Sequence, residues 1–171
     1  MLRAEKEMAI AVEQHFTNST RELRVGPCIL DVVAYDKHRH VFSVIECKLG
    51  SDIRSIGQAF GQISAYYAAL SALGRDFING FTKRVPLRYE RMMEATRDNQ
   101  LQVAFYVALT DAACEKIELI RSIKRLLPGV GIVRVKANHK CRHYIKCNGR
   151  KDRKLAEANP TTVEILQRKG A

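Results

Sequence analysis

The sequence predicts an α/β fold, a central mixed β-sheet flanked by helices. Three observations carry that prediction: apolar residues at helical spacing near the start, two Val- and Ile-rich runs joined by a polar turn, and a later alternation of helical and strand-like segments. The order helix, strands, helix, strand, helix, strand is what a mixed sheet covered on both faces requires. With 171 residues, 46 % of them apolar, one domain with a substantial core is expected. Residues 1–136 would be its patterned core and 137–171 a basic C-terminal extension of the same domain.

The elements follow in order. Residues 2–16 read as a helix because Met8, Ala9, Val12 and Phe16 recur at helical spacing without Gly or Pro. A short strand over 21–25 has only a weak signal. Residues 28–35 and 41–49 read as strands, joined by the polar turn Asp36-Lys37-His38-Arg39-His40. Residues 55–73 form a long helix, followed by an irregular basic connection and an amphipathic helix over 87–97. A strand over 102–109 leads into a helix opened by the Thr110-Asp111 cap and closed before Pro128-Gly129; Ile117, Ile120, Ile123 and Leu127 give it helical periodicity. Residues 131–135 make a last short strand. Beyond Lys136 the pattern fades until a short helix over 161–168.

Composition excludes several classes. Glu5 and Glu7 stand where a secretory or transit signal needs basic and apolar residues, and the apolar stretch 59–73 is too short and too polar to span a membrane. A cytoplasmic protein without a membrane partner is expected. Five cysteines match no disulfide scaffold, so reduced thiols are expected.

The net charge of +11 is one-sided: up to Cys114 there are 14 Lys and Arg against 13 Asp and Glu, and from Glu115 onward 15 against 5. Such a field suits a polyanion, nucleic acid above all, with DNA preferred to RNA; a solvated tail is the plainer alternative. Lys136, Lys140, Arg142 and Lys146, with Tyr144 among them, would form a backbone-binding edge. Arg121, Lys124 and Arg125 would extend it, and Arg84, Arg88 and Arg91 offer a second phosphate track.

The sharpest feature is a pair of strands with acids where apolar residues belong. If the hairpin turns about residues 38 and 39, Asp31 lies opposite Glu46, Val33 opposite Val44 and Tyr35 opposite Phe42. Leu30, Val32, Ile45 and Cys47 would then fill the other face. Alternation puts Glu46 and Lys48 on the side of Asp31. Two close carboxylates in a low-dielectric site repel, and a hard divalent ion relieves that. Mg²⁺ or Mn²⁺, held by Asp31, Glu46, the Cys47 carbonyl and a phosphate oxygen, could lower the pKa of a bound water while Lys48 orients it. Phosphodiester hydrolysis is the natural reaction. The plain alternative is a structural Glu46–Lys48 pair with Asp31 capping a turn, a type of contact that contributes only about 0–1 kcal/mol.

Asp31 and Glu46-Cys47-Lys48 resemble the signature of the PD-(D/E)xK, or restriction endonuclease-like, nuclease superfamily: an Asp on one strand, then Glu-x-Lys on the next. The resemblance covers roughly residues 5–135, with Leu30 where the family often has Pro. It implies a restriction endonuclease-like core and a Mg²⁺- or Mn²⁺-dependent nuclease. Gln62-x-x-x-Tyr66 looks like the QxxxY element of the RecB-like branch, whose side chains line the active site; Gln58 shares their helix face and could stand in for Gln62. The family also tends to place a Glu of the first helix near the metal. Glu13 borders the apolar stripe and is the first candidate, Glu5 the reserve, while Glu7 points away. Many nucleases of this fold act as homodimers, but no surface can be assigned to that job from sequence.

His139, Cys141, His143 and Cys147 could in principle hold Zn²⁺, but their spacing is unlike finger or ribbon motifs, and an incidental strand or loop is the preferred reading. Two rivals to the nuclease stand: a catalytically silent nucleic-acid-binding or regulatory module with the same fold, and a recombination partner active only inside a complex.

Overall fold

Met8, Ala9 and Val12 form one apolar stripe on a helix, α1 (Arg3–Gln14), and all three are buried against the sheet. A computed structural model of the chain describes residues 3–50, 52–86, 100–137, 143–147 and 161–164. The helix expected over 87–97 lies outside them, as do Arg88, Arg91, His139, Lys140, Cys141 and Arg142.

The weakly signalled strand exists. β1 (Ser19–Val25) pairs antiparallel with β2 (Cys28–Asp36) through the two-residue loop Gly26-Pro27. Gly26 has φ +56°, and a Cβ there would lie 2.5 Å from Leu73 Cδ1, so the turn needs glycine for both conformation and space. β2 then pairs antiparallel with β3 (Val41–Lys48) in the expected register, Val33 with Val44 and Tyr35 with Phe42.

The next helix, α2 (Ile53–Thr82), begins at Asp52, whose carboxylate accepts from the Ser55 N–H (2.9 Å). It runs nine residues past the expected end. Leu73-Gly74 reads as a stop, yet only Leu73 leaves helical geometry (φ −126°, ψ 27°), and the buried row Leu70, Gly74, Phe77, Ile78, Phe81 continues beyond it. Phe77 and Phe81 pack on Phe42 with ring centroids 4.9 and 5.3 Å away, which holds the second half of the helix on the sheet.

β4 (Gln100–Thr110) lies parallel to β3, and β5 (Val130–Ala137) parallel to β4. Between them the expected single helix is two, α3 (Asp111–Cys114), capped by Thr110, and α4 (Ile117–Leu126). Glu115 and Lys116 break them apart. The chain after Lys136 keeps more pattern than expected: β6 (His143–Cys147) pairs with β5. Residues 161–164 are not helical but form β7 (Thr161–Glu164), antiparallel to β4 over Gln100–Val103. β5 leaves that stretch of edge open, and β-branched Thr161, Thr162 and Val163 suit it.

The sheet therefore has the order β1-β2-β3-β4-β5-β6, with β7 on the remaining edge of β4. It is mixed and covered on both faces, α1 over one and α2 over the other. Leu30 departs from the expected alternation: it packs on the α2 side with Leu23, whereas Val32, Ile45 and Cys47 face α1. Among the described residues no helix is long and apolar enough to cross a membrane.

If the second half of α2 is integral to the core, Phe77→Ala should destabilise the protein by about 3–5 kcal/mol. Urea unfolding checks this, and a loss below about 1 kcal/mol would mean that the helix end packs only loosely.

Candidate active site

The site begins with an irregularity in β1 and β2. Their ladder pairs Leu23 with Leu30 and Arg21 with Val32, and skips the position between, Glu22 opposite Asp31. Glu22 there has φ +51°, a conformation uncommon for a side chain of its kind. Both strands change faces at this point. Leu23 and Leu30 face α2, while Val32 faces α1 and Arg21 forms an ion pair with Glu13 of α1.

The switch frees Asp31 from ordinary alternation. The backbone pairing of β2 with β3 stops at Val32 and Ile45, and the Asp31 carboxylate takes over, accepting from the Cys47 N–H (2.9 Å). Asp31 is only 8 % exposed. Glu46, two residues beyond Val44 on the α2 face, is fully buried. Lys48 Nζ lies 2.8 Å from Glu46 Oε1, and the Tyr66 hydroxyl of α2 is 2.5 Å from Oε2. The phenol has one hydrogen and a second acceptor, the Ile29 carbonyl at 3.0 Å. The nearer carboxylate oxygen receives it. Oε1 has no aligned hydrogen-bond donor despite the ion pair.

Asp31, Glu46 and Lys48 thus converge as expected, and they line one cavity of about 590 Å³. Gln62 lines it too, one helical turn from Tyr66. Gln58, a turn further, is exposed and does not. Of the two first-helix acids weighed for the site, Glu5 lines the cavity and Glu13 does not. Glu13 lies about two turns further along α1 and is held by Arg21, whereas Glu5 lines the cavity and acts electrostatically on Lys48. Glu22, Arg24 and Ile29 complete the walls and were not anticipated. The available clue was the weak strand at 21–25, where Glu22 and Arg24 interleave with Leu23 and Val25.

Of the expected nucleic-acid contacts, Arg84 lines the cavity, and its Nη1 donates to the carbonyls of Arg21 (2.7 Å) and Glu22 (3.2 Å). Arg121 and Arg125 are exposed on α4, away from the cavity, and Arg121 is paired with Glu118 (2.8 Å). Lys136 lies on β5 and Lys146 on β6, opposite Tyr144 and Arg134 respectively. The side chains of Lys124, Lys136 and Lys146 lie outside the described part.

The electrostatics follow from burial. Desolvation first, and the neighbouring Glu46 second, push the Asp31 pKa up to about 7, against the Cys47 N–H and Lys48, which lower it. Burial opposes the charge on Lys48, but Glu46, with Glu5 and Asp31 behind it, outweighs this and raises its pKa. Burial and Glu46 raise the Tyr66 pKa, so the phenol stays a donor. The Cys47 thiol, turned to the α1 face, is likewise raised by burial and unfit as a nucleophile at neutral pH. Asp31 and Glu46 are the carboxylates that a cation could bridge. Among the described residues no three His, Cys, Asp or Glu side chains gather as a ligand set.

No family model, curated protein or solved structure matches the chain.

Because the Asp31 pKa is raised on folding from 3.8 to about 7, the folded state holds the proton more tightly. Stability should fall as pH rises between those values, with the full penalty present above pH 7. Asp31→Asn should then be more stable than the parent at pH 8, by on the order of 1–4 kcal/mol, and little different near pH 4. Denaturant unfolding across pH decides it; parallel curves for both proteins would exclude the buried charge as the cause. Tyr66→Phe should cost about 1–3 kcal/mol, because Glu46 Oε2 loses its donor in a dry site. An unchanged unfolding midpoint would show that the hydroxyl contact does no more than offset its desolvation.

Proposed function

We propose that this protein is a Mg²⁺- or Mn²⁺-dependent nuclease that hydrolyses phosphodiester bonds of DNA, with RNA the second choice of substrate, on a restriction endonuclease-like core. The observation that carries this reading is the meeting of Asp31, Glu46 and Lys48 in one cavity, from two strands joined by a hairpin. A bulk structural role explains it poorly, because buried carboxylates in apolar surroundings cost stability unless something compensates them.

The residues fit a hard divalent cation. Two carboxylates are close enough for Glu46 to raise the Asp31 pKa, and Glu46 Oε1 lacks an aligned donor. Asp31 and Glu46 would hold the ion, with the Cys47 carbonyl, waters and a phosphate oxygen completing an oxygen shell. When bound, it polarises the scissile phosphate and acidifies a water. Lys48 holds that water or counters charge developing on the phosphate, and Tyr66 fixes the Glu46 rotamer from behind. Gln62, on the cavity wall, donates to a phosphate oxygen or water.

Plasmid and single-stranded DNA incubated with Mg²⁺ or Mn²⁺ test the proposal. The parent should cleave; Lys48→Ala should lose at least about a hundredfold in rate, in line with removal of one preorganised charge-stabilising group. Asp31→Asn should be inactive although more stable, which separates lost chemistry from lost fold. Equal cleavage by parent and variants would assign the activity elsewhere. One observation favours a silent binding module instead: Glu46 is already met by Lys48 and Tyr66. Nucleic-acid binding with neither Mn²⁺ uptake by calorimetry nor cleavage would select that reading.

A further inference from the structure

Two arginines on the cavity wall, Arg24 and Arg84, are not used by the proposed chemistry. Arg24 lies on β1 and Arg84 follows α2, and both residues line the same space as Asp31 and Glu46. Neither forms an ion pair with a carboxylate among the described residues. Arg84 commits Nη1 to the carbonyls of Arg21 and Glu22, and this fixes its position while its remaining donors have no partner among the described residues. Arginine forks not paired with a carboxylate suit phosphate.

The placement of Arg24 sets the spacing. Arg24 pairs with Ile29 across β1 and β2, whereas the interrupted position is Glu22 opposite Asp31. Two residues of strand separate them, a displacement of about 7 Å. That is the scale of one nucleotide repeat along a single strand. Ile29 is 45 % exposed, although it is large and apolar, and it lines the same cavity directly across from Arg24. It gives a sugar or base an apolar wall. The volume of about 590 Å³ falls within the ~300–1,000 Å³ usual for small-ligand sites and suits a nucleotide or two of one strand.

We infer that Arg24 and Arg84 form a second phosphate subsite, which grips the phosphodiester neighbouring the scissile one on a single strand threaded past Ile29. The inference rests on the nuclease reading for the identity of the scissile phosphate. The subsite would fix the register of the strand, so that the bond to be cut lies over Asp31 and Glu46.

The test is binding in EDTA, where no cleavage can occur, to a short fluorescent single-stranded DNA across a range of salt. Arg24 is exposed, so Arg24→Gln should fold normally; Arg84 also ties β1 and is the poorer choice. Arg24→Gln should weaken binding about tenfold or more. It should also reduce the slope of log K against log salt by about 0.7, the value for one fewer neutralised phosphate on a single strand. Arg24→Lys should restore the slope while recovering only part of the affinity, since it keeps the charge and loses the fork. In a series of oligonucleotides with one neutral methylphosphonate each, one position should weaken the parent and leave Arg24→Gln unaffected. Wild-type affinity in Arg24→Gln, or weaker binding with an unchanged salt slope, would overturn the subsite. Absence of cleavage by the parent with Mg²⁺ or Mn²⁺, alongside an Arg24-dependent slope, would instead overturn the nuclease reading and leave the phosphate subsite standing.

Discussion

Glu46 occupies the central part of the sheet with no exposed surface, and a carboxylate cannot sit there alone. Its surroundings are arranged around that constraint. Lys48 meets one oxygen from the same strand, Tyr66 meets the other from α2, and the Asp31 carboxylate lies close enough to hold its own proton to about pH 7. The site is thereby coupled to the core. The helix that carries Tyr66 also carries Ile63 and Leu70, which lie in the apolar cluster beneath it, so the position of the acid depends on packing more than on loops. Breaking a buried pair typically costs about 3–5 kcal/mol, which gives the constellation a single preferred arrangement.

Asp31 enters by a different route. A regular strand would have turned it toward a helix, as its neighbours Leu30 and Val32 are turned, on opposite faces. The left-handed backbone at Glu22 and the matching change of face in β2 let the carboxylate lie along the sheet and accept from the Cys47 N–H. A backbone bond between strands is replaced by a side-chain bond at the point where polar chemistry is wanted. Local irregularities of this sort carry energetic cost and gather where a fold must present functional groups.

Much of this was legible in the sequence for physical reasons. The hairpin register follows from which residues can be buried together, and Val33–Val44 and Tyr35–Phe42 leave no good alternative. That register brings Glu46 and Lys48 to the same end of the hairpin as Asp31, while the ladder itself stops at Val32 and Ile45. What escaped depended on tertiary context. Glu13 borders the α1 stripe and Glu5 lies within it near the helix end, and only the path of the helix over the sheet, with Arg21 beside Glu13, shows which of them lines the cavity. Leu73-Gly74 looks like a helix end until Phe77 and Phe81 find Phe42. Thr161–Glu164 is drawn into strand by an open edge of β4 far away in the chain, a partner that no local pattern announces. Glu22 changes the sheet through a backbone angle that a glutamate does not advertise.

β1 is the outermost strand at its end of the sheet, and exposed strand edges invite other chains to add to them. Here the edge is blunted where it would be most open. The left-handed residue at Glu22 bends the hydrogen-bonding line, and the Arg84 guanidinium covers the carbonyls of Arg21 and Glu22. An incoming strand would find neither a straight ladder nor free acceptors there. The irregularity that delivers Asp31 therefore also protects the molecule against edge-to-edge aggregation.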